Sequence, residues 1–245
     1  MNLELWQGGL VMFAAMFIGL SKTAIGGLGM VSVTIFANII PAREASGFVL
    51  PLLICGDLVA VKSYRTHTQW RHLVRLFPWT AGGVILGWLA MGRIDDRQAS
   101  LIIGAIVIVM VGLHLWRRRK AGAGAEVTAE MGFAAMIGVL AGFTTLVANA
   151  AGPLMAIYLL AMRLPKMEFM GTSAVFFFLI NLFKVPFMMD LGLINTGSFT
   201  NNLVLAPAGF GGALIGRTLL KRIDQRLFEN LALWLSAVAG VKLLC

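Results

Sequence analysis

Apolar residues run along this chain in stretches of about 15 to 20, separated by short polar, Gly-rich or basic stretches. A helix of roughly 20 apolar residues crosses a hydrocarbon core about 30 Å thick, and strict alternation of apolar and polar positions, the mark of a membrane barrel strand, is missing. The pattern predicts ten helices near residues 6–20, 26–40, 45–61, 73–91, 99–116, 131–147, 150–163, 169–188, 199–219 and 228–244. The chain begins MNLELWQGG, with Glu4 and no basic residue ahead of the first apolar run, which predicts a retained first span over a cleaved leader.

The pattern repeats. Residues 76–97 align with 205–226, 129 positions later, through Leu76/Leu205, Pro78/Pro207, Gly82/Gly211, Gly83/Gly212, Gly87/Gly216, Ile94/Ile223, Asp95/Asp224 and Arg97/Arg226. Upstream the offset is 124, pairing Pro41/Pro165, Glu44/Glu168, Gly47/Gly171, Leu58/Leu182 and Val61/Val185, with Asp57 facing Asn181; at 123 it pairs Gly19/Gly142 and Gly29/Gly152. Duplication within a hydrophobic chain is a signature of secondary transporters. Five segments per copy is an odd number, so directly joined copies face opposite ways across the membrane.

Composition narrows the class. With 59% hydrophobic and 13% charged residues and a mean hydropathy of +0.86, the chain lacks the polar surface a soluble globule needs. It reads as an all-α polytopic membrane protein. The net charge of +9 sits in short clusters between apolar segments, where it sets orientation, and does not indicate nucleic-acid binding. Lys62, Arg65, Arg71 and Arg75 follow the third segment, whereas the equivalent loop of the second copy carries Asp190; Arg217, Lys221, Arg222 and Arg226 follow the ninth, whereas the equivalent loop of the first copy is neutral. These clusters, Arg117 to Lys120, and Arg163 with Lys166 all fall on the cytoplasmic side if both termini lie outside. An inverted repeat fits; the competing arrangement is a same-orientation repeat of eight spans with re-entrant hairpins. Residues 1–116 form the first repeat, 117–130 a cytoplasmic linker rich in charge, Gly and Ala, and 131–245 the second repeat.

Candidate chemistry gathers at two interruptions. The short second and seventh segments are entered through GLSKTAIGGLG (19–29) and GFTTLVANAAGP (142–153). Gly weakens a helix by roughly 1 kcal/mol relative to Ala, and Pro153 has no N–H, so both stretches predict broken helices. Broken backbone at membrane depth survives only where it is buried in protein or lines a wet cavity, and the N–H groups opening the next half-helix attract anions. Ser21, Lys22, Thr23, Thr144, Thr145 and Asn149 supply hydroxyl, amide and ammonium donors there, making them candidate substrate-binding residues. The alternatives are that the hydroxyls pack helices and that Lys22 snorkels from a loop. Asp57, its counterpart Asn181, and Lys184 lie inside spans, where an ionisable group costs about 3 kcal/mol and normally has a partner. Asp57 can pair with Lys22 or Lys184, or relay a proton. Trp6, Trp70, Trp79 and Trp116 sit near segment ends as interfacial anchors, and the glycines at 82, 83, 87, 211, 212 and 216 read as close helix crossings. Cys55 and Cys245 show no redox or metal spacing, and no metal, cofactor or catalytic arrangement is expected.

In GLSKTAIGGLGM, PLLICGDLVAVKSYRTHTQW, GFTTLVANAAGPLMAIYLLAMRLPKMEF and GTSAVFFFLINLFKVPF the chain resembles the TauE/SafE family of bacterial membrane transporters, over both halves. The resemblance implies a multi-pass protein of the cytoplasmic (inner) membrane that carries small sulfur-containing or organic anions such as sulfite, sulfoacetate or related sulfonates, in many cases outward. Substrates differ widely among members, and the resemblance assigns no substrate ligand. The expectation is a secondary transporter working by alternating access, with a passive anion channel of the same architecture as the alternative and a membrane enzyme disfavoured. A small anion, a coupling proton, the lipid bilayer and a second copy of the chain are the candidate partners.

Overall fold

In hydrocarbon, a backbone can satisfy its N–H and C=O groups only by pairing them internally, and for single apolar runs that means helix. A computed structural model describes residues 5–24, 32, 36, 42–120, 131–194 and 196–244. Among these residues every regular element is helical: α1 (Leu5–Thr23), α2 (Ala42–Tyr64), α3 (Trp70–Met91), α4 (Asp96–Lys120), α5 (Met131–Ala148), α6 (Gly152–Ala161), α7 (Lys166–Asp190), α8 (Thr196–Arg222) and α9 (Gln225–Leu244), with one 3₁₀ turn at Arg65–His67. Of the second expected segment, 26–40, only residues 32 and 36 are among the described residues. Among the described residues six helical stretches are long and apolar enough to span a membrane, and α6 and Gly8–Thr23 are shorter apolar helices. Trp6, Trp70, Trp79, Trp116 and Trp234 are exposed, as are Val74, Leu86, Val109 and Val238. An apolar exterior over apolar helices makes this a multi-pass membrane protein.

Apart from the second segment, the expected helices are found, most with longer ends, whereas α6 is shorter than the expected 150–163. Pro51, Pro78, Pro186 and Pro207 sit inside α2, α3, α7 and α8, an interruption that helices packed in a membrane tolerate. Residues 117–120, expected in the linker, continue α4, and 121–130 lie outside the described residues.

Two helix pairings dominate, α3 with α5 and α1 with α8, and glycine sets both. A Cβ on Gly19 of α1 would strike the Gly209 carbonyl oxygen and lie 2.8 Å from the Ala213 nitrogen in α8. A Cβ on Gly142 of α5 would strike the Thr80 carbonyl oxygen and lie 2.7 Å from the Val84 nitrogen in α3. Gly142 follows Gly19 by 123 residues, and Gly209 and Ala213 follow Thr80 and Val84 by 129, the offsets at which the sequence repeats. The correspondence extends further: Gly212 abuts Met16 and Gly83 abuts Val139, while Gly216 meets the Leu20 carbonyl and Gly87 the Phe143 carbonyl. Gly82 and Gly211 have nothing within 4 Å, so those two of the six glycines expected at crossings face outward.

The order of these contacts gives directions. Along α1 and α8, Met16 meets Gly212 and Leu20 meets Gly216, so the two run parallel, as do α3 and α5. By contrast α2 and α7, the third segments of the two copies, cross antiparallel: Gly47 abuts Leu193, Asp57 bonds Asn181, and Gly171 abuts the Tyr64 carbonyl. The fifth segments, α4 and α9, are antiparallel too, with Gly104 against Leu244 and Gly240 against Val107 and Ile108.

Candidate functional site

Helix α5 ends because Asn149 takes a left-handed backbone, φ 52°. In that conformation its N–H donates to the Thr145 carbonyl at 3.0 Å and the Ala150 N–H to the Thr144 carbonyl at 3.1 Å, closing the last turn. Two residues later α6 starts at Gly152, with Pro153 in its first turn, where an absent N–H costs nothing. The break is therefore narrower than the expected 142–153: Thr144 and Thr145 are helical and only Asn149 to Ala151 interrupt the helix.

The first interruption is corrected more strongly. Ser21, Lys22 and Thr23 form the last turn of α1, closed by Ala24 N–H donating to the Leu20 carbonyl at 2.9 Å. The cause is tertiary: the Tyr64 hydroxyl donates to the Thr23 carbonyl at 2.8 Å, capping a group that the helix end leaves open. Lys22 thus sits at the electronegative end of a helix, a favourable place for an ammonium. Residues 25–29, the rest of this stretch, lie outside the described residues.

Between α1, α2, the α5–α6 break and α7 lies a cavity of about 60 Å³. That is room for a few waters or one small oxyanion. Its polar lining is Ser21, Lys22, Asp57, Thr145, Asn149 and Asn181, six of the expected residues, together with Ser173 and the Gly152 end of α6. Thr23 and Thr144 lie off the cavity. Thr23 donates across to the Ala213 carbonyl at 2.7 Å, and Thr144 back to the Ala141 carbonyl at 3.3 Å, both completely buried as packing hydroxyls. Ser21 lines the cavity while donating to the Ile18 carbonyl at 2.8 Å.

The charges are ordered. Of the two lysines available to Asp57, the structure chooses Lys22, whose Nζ lies 2.8 Å from Oδ1; Asn181 Nδ2 donates to Oδ2 at 2.6 Å. Asp57 is fully buried, and the Lys22 side chain keeps 12% exposure toward the cavity. Gly56 lets the lysine stem pass, and the Phe177 ring lies 4.5 Å from its nitrogen. Asp57 and Asn181, counterparts at the 124-residue offset of the sequence repeat, touch each other. Lys184, also fully buried, turns to the break: it donates to the Thr145 carbonyl (3.0 Å), the Thr145 hydroxyl (3.1 Å) and Asn149 Oδ1 (2.7 Å). Asn149 Nδ2 reaches across to the Ser46 carbonyl at 2.9 Å and hydroxyl at 3.2 Å. Among the described residues Lys22 and Asp57 are the charged side chains that line the cavity, and Lys184 lies behind the break, off its lining.

Sequence reasoning missed Ser46, Ser173 and Phe177. Ser46 carries a legible trace, the small-residue run at the start of α2 that admits a close crossing; the other two look like ordinary positions of an apolar helix.

A family model described as sulfite exporter TauE/SafE matches residues 11–243. No curated protein and no solved structure matches the chain.

Proposed function

The chain belongs to the TauE/SafE sulfite exporter family, a family of membrane transporters, and on that premise we propose that it moves a small anion by alternating access through the cavity beside the α5–α6 break. The observation that carries this is the placement of the Lys22 ammonium and the N-terminal end of the half-helix α6 on one space of oxyanion size, with Lys184 buried behind the break. Substrate oxygens would take Lys22 Nζ and the amide end of α6, with Ser21, Thr145, Asn149 and Asn181 lining the rest of the shell. Sulfite, sulfoacetate and related sulfonates are the substrate class. In a cell with a negative interior, each uncompensated charge is driven outward by about 2.3 kcal/mol per 100 mV, so export requires no pump.

The fold we infer is a ten-segment inverted repeat, 1–116 and 131–245, joined by a cytoplasmic linker in the inner membrane with both termini outside. Antiparallel crossing of α2 with its repeat counterpart α7, and of α4 with α9, supports inversion, because same-orientation copies would set counterparts parallel. Rocking of one copy against the other about the Asp57–Asn181 contact is the motion such symmetry allows.

Two measurements in proteoliposomes test the mechanism. Labelled sulfite or sulfoacetate efflux is expected to saturate and to accelerate when unlabelled substrate is placed on the far side; ohmic currents without acceleration mean a channel instead. If Lys22 leaves Asp57 for the anion while a proton takes its place, flux depends on pH and Asp57→Asn loses that dependence. An unchanged pH profile in Asp57→Asn removes the carboxylate from coupling.

A further inference from the structure

We propose that the Lys184 ammonium is a tethered ion filling a monovalent-cation site: a cage of the Thr145 carbonyl, the Thr145 hydroxyl and Asn149 Oδ1 at the end of α5, sized for potassium or an ammonium. The inference stands on the cage alone and does not depend on which solute, if any, is transported.

All three acceptors are neutral oxygens, at 3.0, 3.1 and 2.7 Å, and they match the three donors of the ammonium. A lysine kept for an ion pair would be expected to meet a carboxylate, and the nearby one, Asp57, is engaged by Lys22 and Asn181. The lysine instead sits where unwound helix ends hold sodium or protons in transporters with broken helices, at carbonyls carrying the negative end of the helix dipole.

The cage is also held by contacts that do not involve Lys184. The left-handed backbone of Asn149 and its N–H bond to Thr145 fix the turn. Its amide nitrogen is committed to the Ser46 carbonyl and hydroxyl, so Oδ1 faces inward. Ser46 is anchored in turn, its hydroxyl donating to the Leu146 carbonyl at 3.3 Å. Removing the lysine therefore leaves three converging oxygens. Because Thr145 and Asn149 also line the cavity, a free ion has a way in.

A tethered cation cannot dissociate, so the positive charge beside the cavity is independent of ambient sodium or potassium. A free ion would tie that charge to the salt around the protein.

The test is thermal melting of the purified full chain as wild type, Lys184→Ala and Lys184→Met, each in choline, sodium, potassium or methylammonium chloride at one ionic strength. Wild type is expected to be indifferent to the cation. Lys184→Ala should melt below wild type in choline, which is too large and has no N–H. Potassium or methylammonium should raise it again, by roughly 3–6 °C when the ion exceeds its Kd tenfold. Lys184→Met, whose stem occupies the space without charge, should stay low in every salt. Lack of any cation-specific rise in Lys184→Ala overturns the proposal, as does Lys184→Met melting with wild type. Failure to obtain folded Lys184→Ala even when extracted in methylammonium counts against it equally, since a cage that accepts free amines would be rescued.

Discussion

Lys22→Ala is expected to lose about 3–5 kcal/mol of stability, because it strands a fully buried carboxylate with only an amide for company. Asp57 is fully buried inside a span, and the few waters the small cavity could hold do not replace the ammonium 2.8 Å away, so the cost is the desolvation of an uncompensated charge and not merely a lost bond. The pairing makes a sharper expectation for the double variant. Lys22→Gln with Asp57→Asn removes both charges, keeps the shapes close, leaves the Asn181 amide a carbonyl to donate to, and should melt near wild type. Melting curves of the two singles and the double complete a mutant cycle; additive losses would mean that Lys22 and Asp57 are energetically independent.

Gly142→Leu and Gly19→Leu should each lose about 3 kcal/mol and fall at the upper end of overpacking effects, because the added side chain meets backbone that cannot swing aside. The two losses should be alike, since the Thr80–Val84 segment that receives Gly142 is the counterpart of the Gly209–Ala213 segment that receives Gly19. Gly82→Leu and Gly211→Leu, in open positions of the same helices, should be tolerated or mildly stabilising, as a helix interior prefers Leu to Gly. Size-exclusion profiles and melting temperatures of the four variants decide it. A large loss at Gly82, or none at Gly142, would mean that the helix pairing is misplaced.

Much of the scaffold was legible because the lipid makes it so. Long apolar runs have one way to satisfy their backbone, and the glycines that let α1 approach α8 and α3 approach α5 appear in sequence at the same offsets at which they appear in space. The six polar residues at the cavity were legible too, since charge and amide groups inside apolar helices are costly enough to advertise a purpose. What stayed hidden was settled by distant partners. Nothing local to GLSKT says that its helix persists through Thr23; the hydroxyl that caps it comes from Tyr64, 41 residues away. Thr23 and Thr144 look like site donors by composition, yet neighbouring carbonyls claim both hydroxyls. Lys184 sits one turn beyond Asn181, the counterpart of Asp57, and the pattern alone offers it to that carboxylate; only packing α7 against the end of α5 turns it toward Thr145 and Asn149. The helix end that Lys22 occupies is likewise the electronegative one, so in the first copy the positive charge at the cavity comes from a side chain, and in the second from the α6 amides.

The most direct measurement is efflux of labelled sulfite and sulfoacetate from proteoliposomes holding equal amounts of wild type or the Lys22→Gln/Asp57→Asn double variant, both checked for matching melting temperatures. Saturable efflux in wild type and a fall to the protein-free leak in the double variant is the expected result, because the fold is kept while the ammonium that meets the anion is gone. Equal efflux from the two would contradict the assignment of that cavity, and of Lys22 within it, to anion transport.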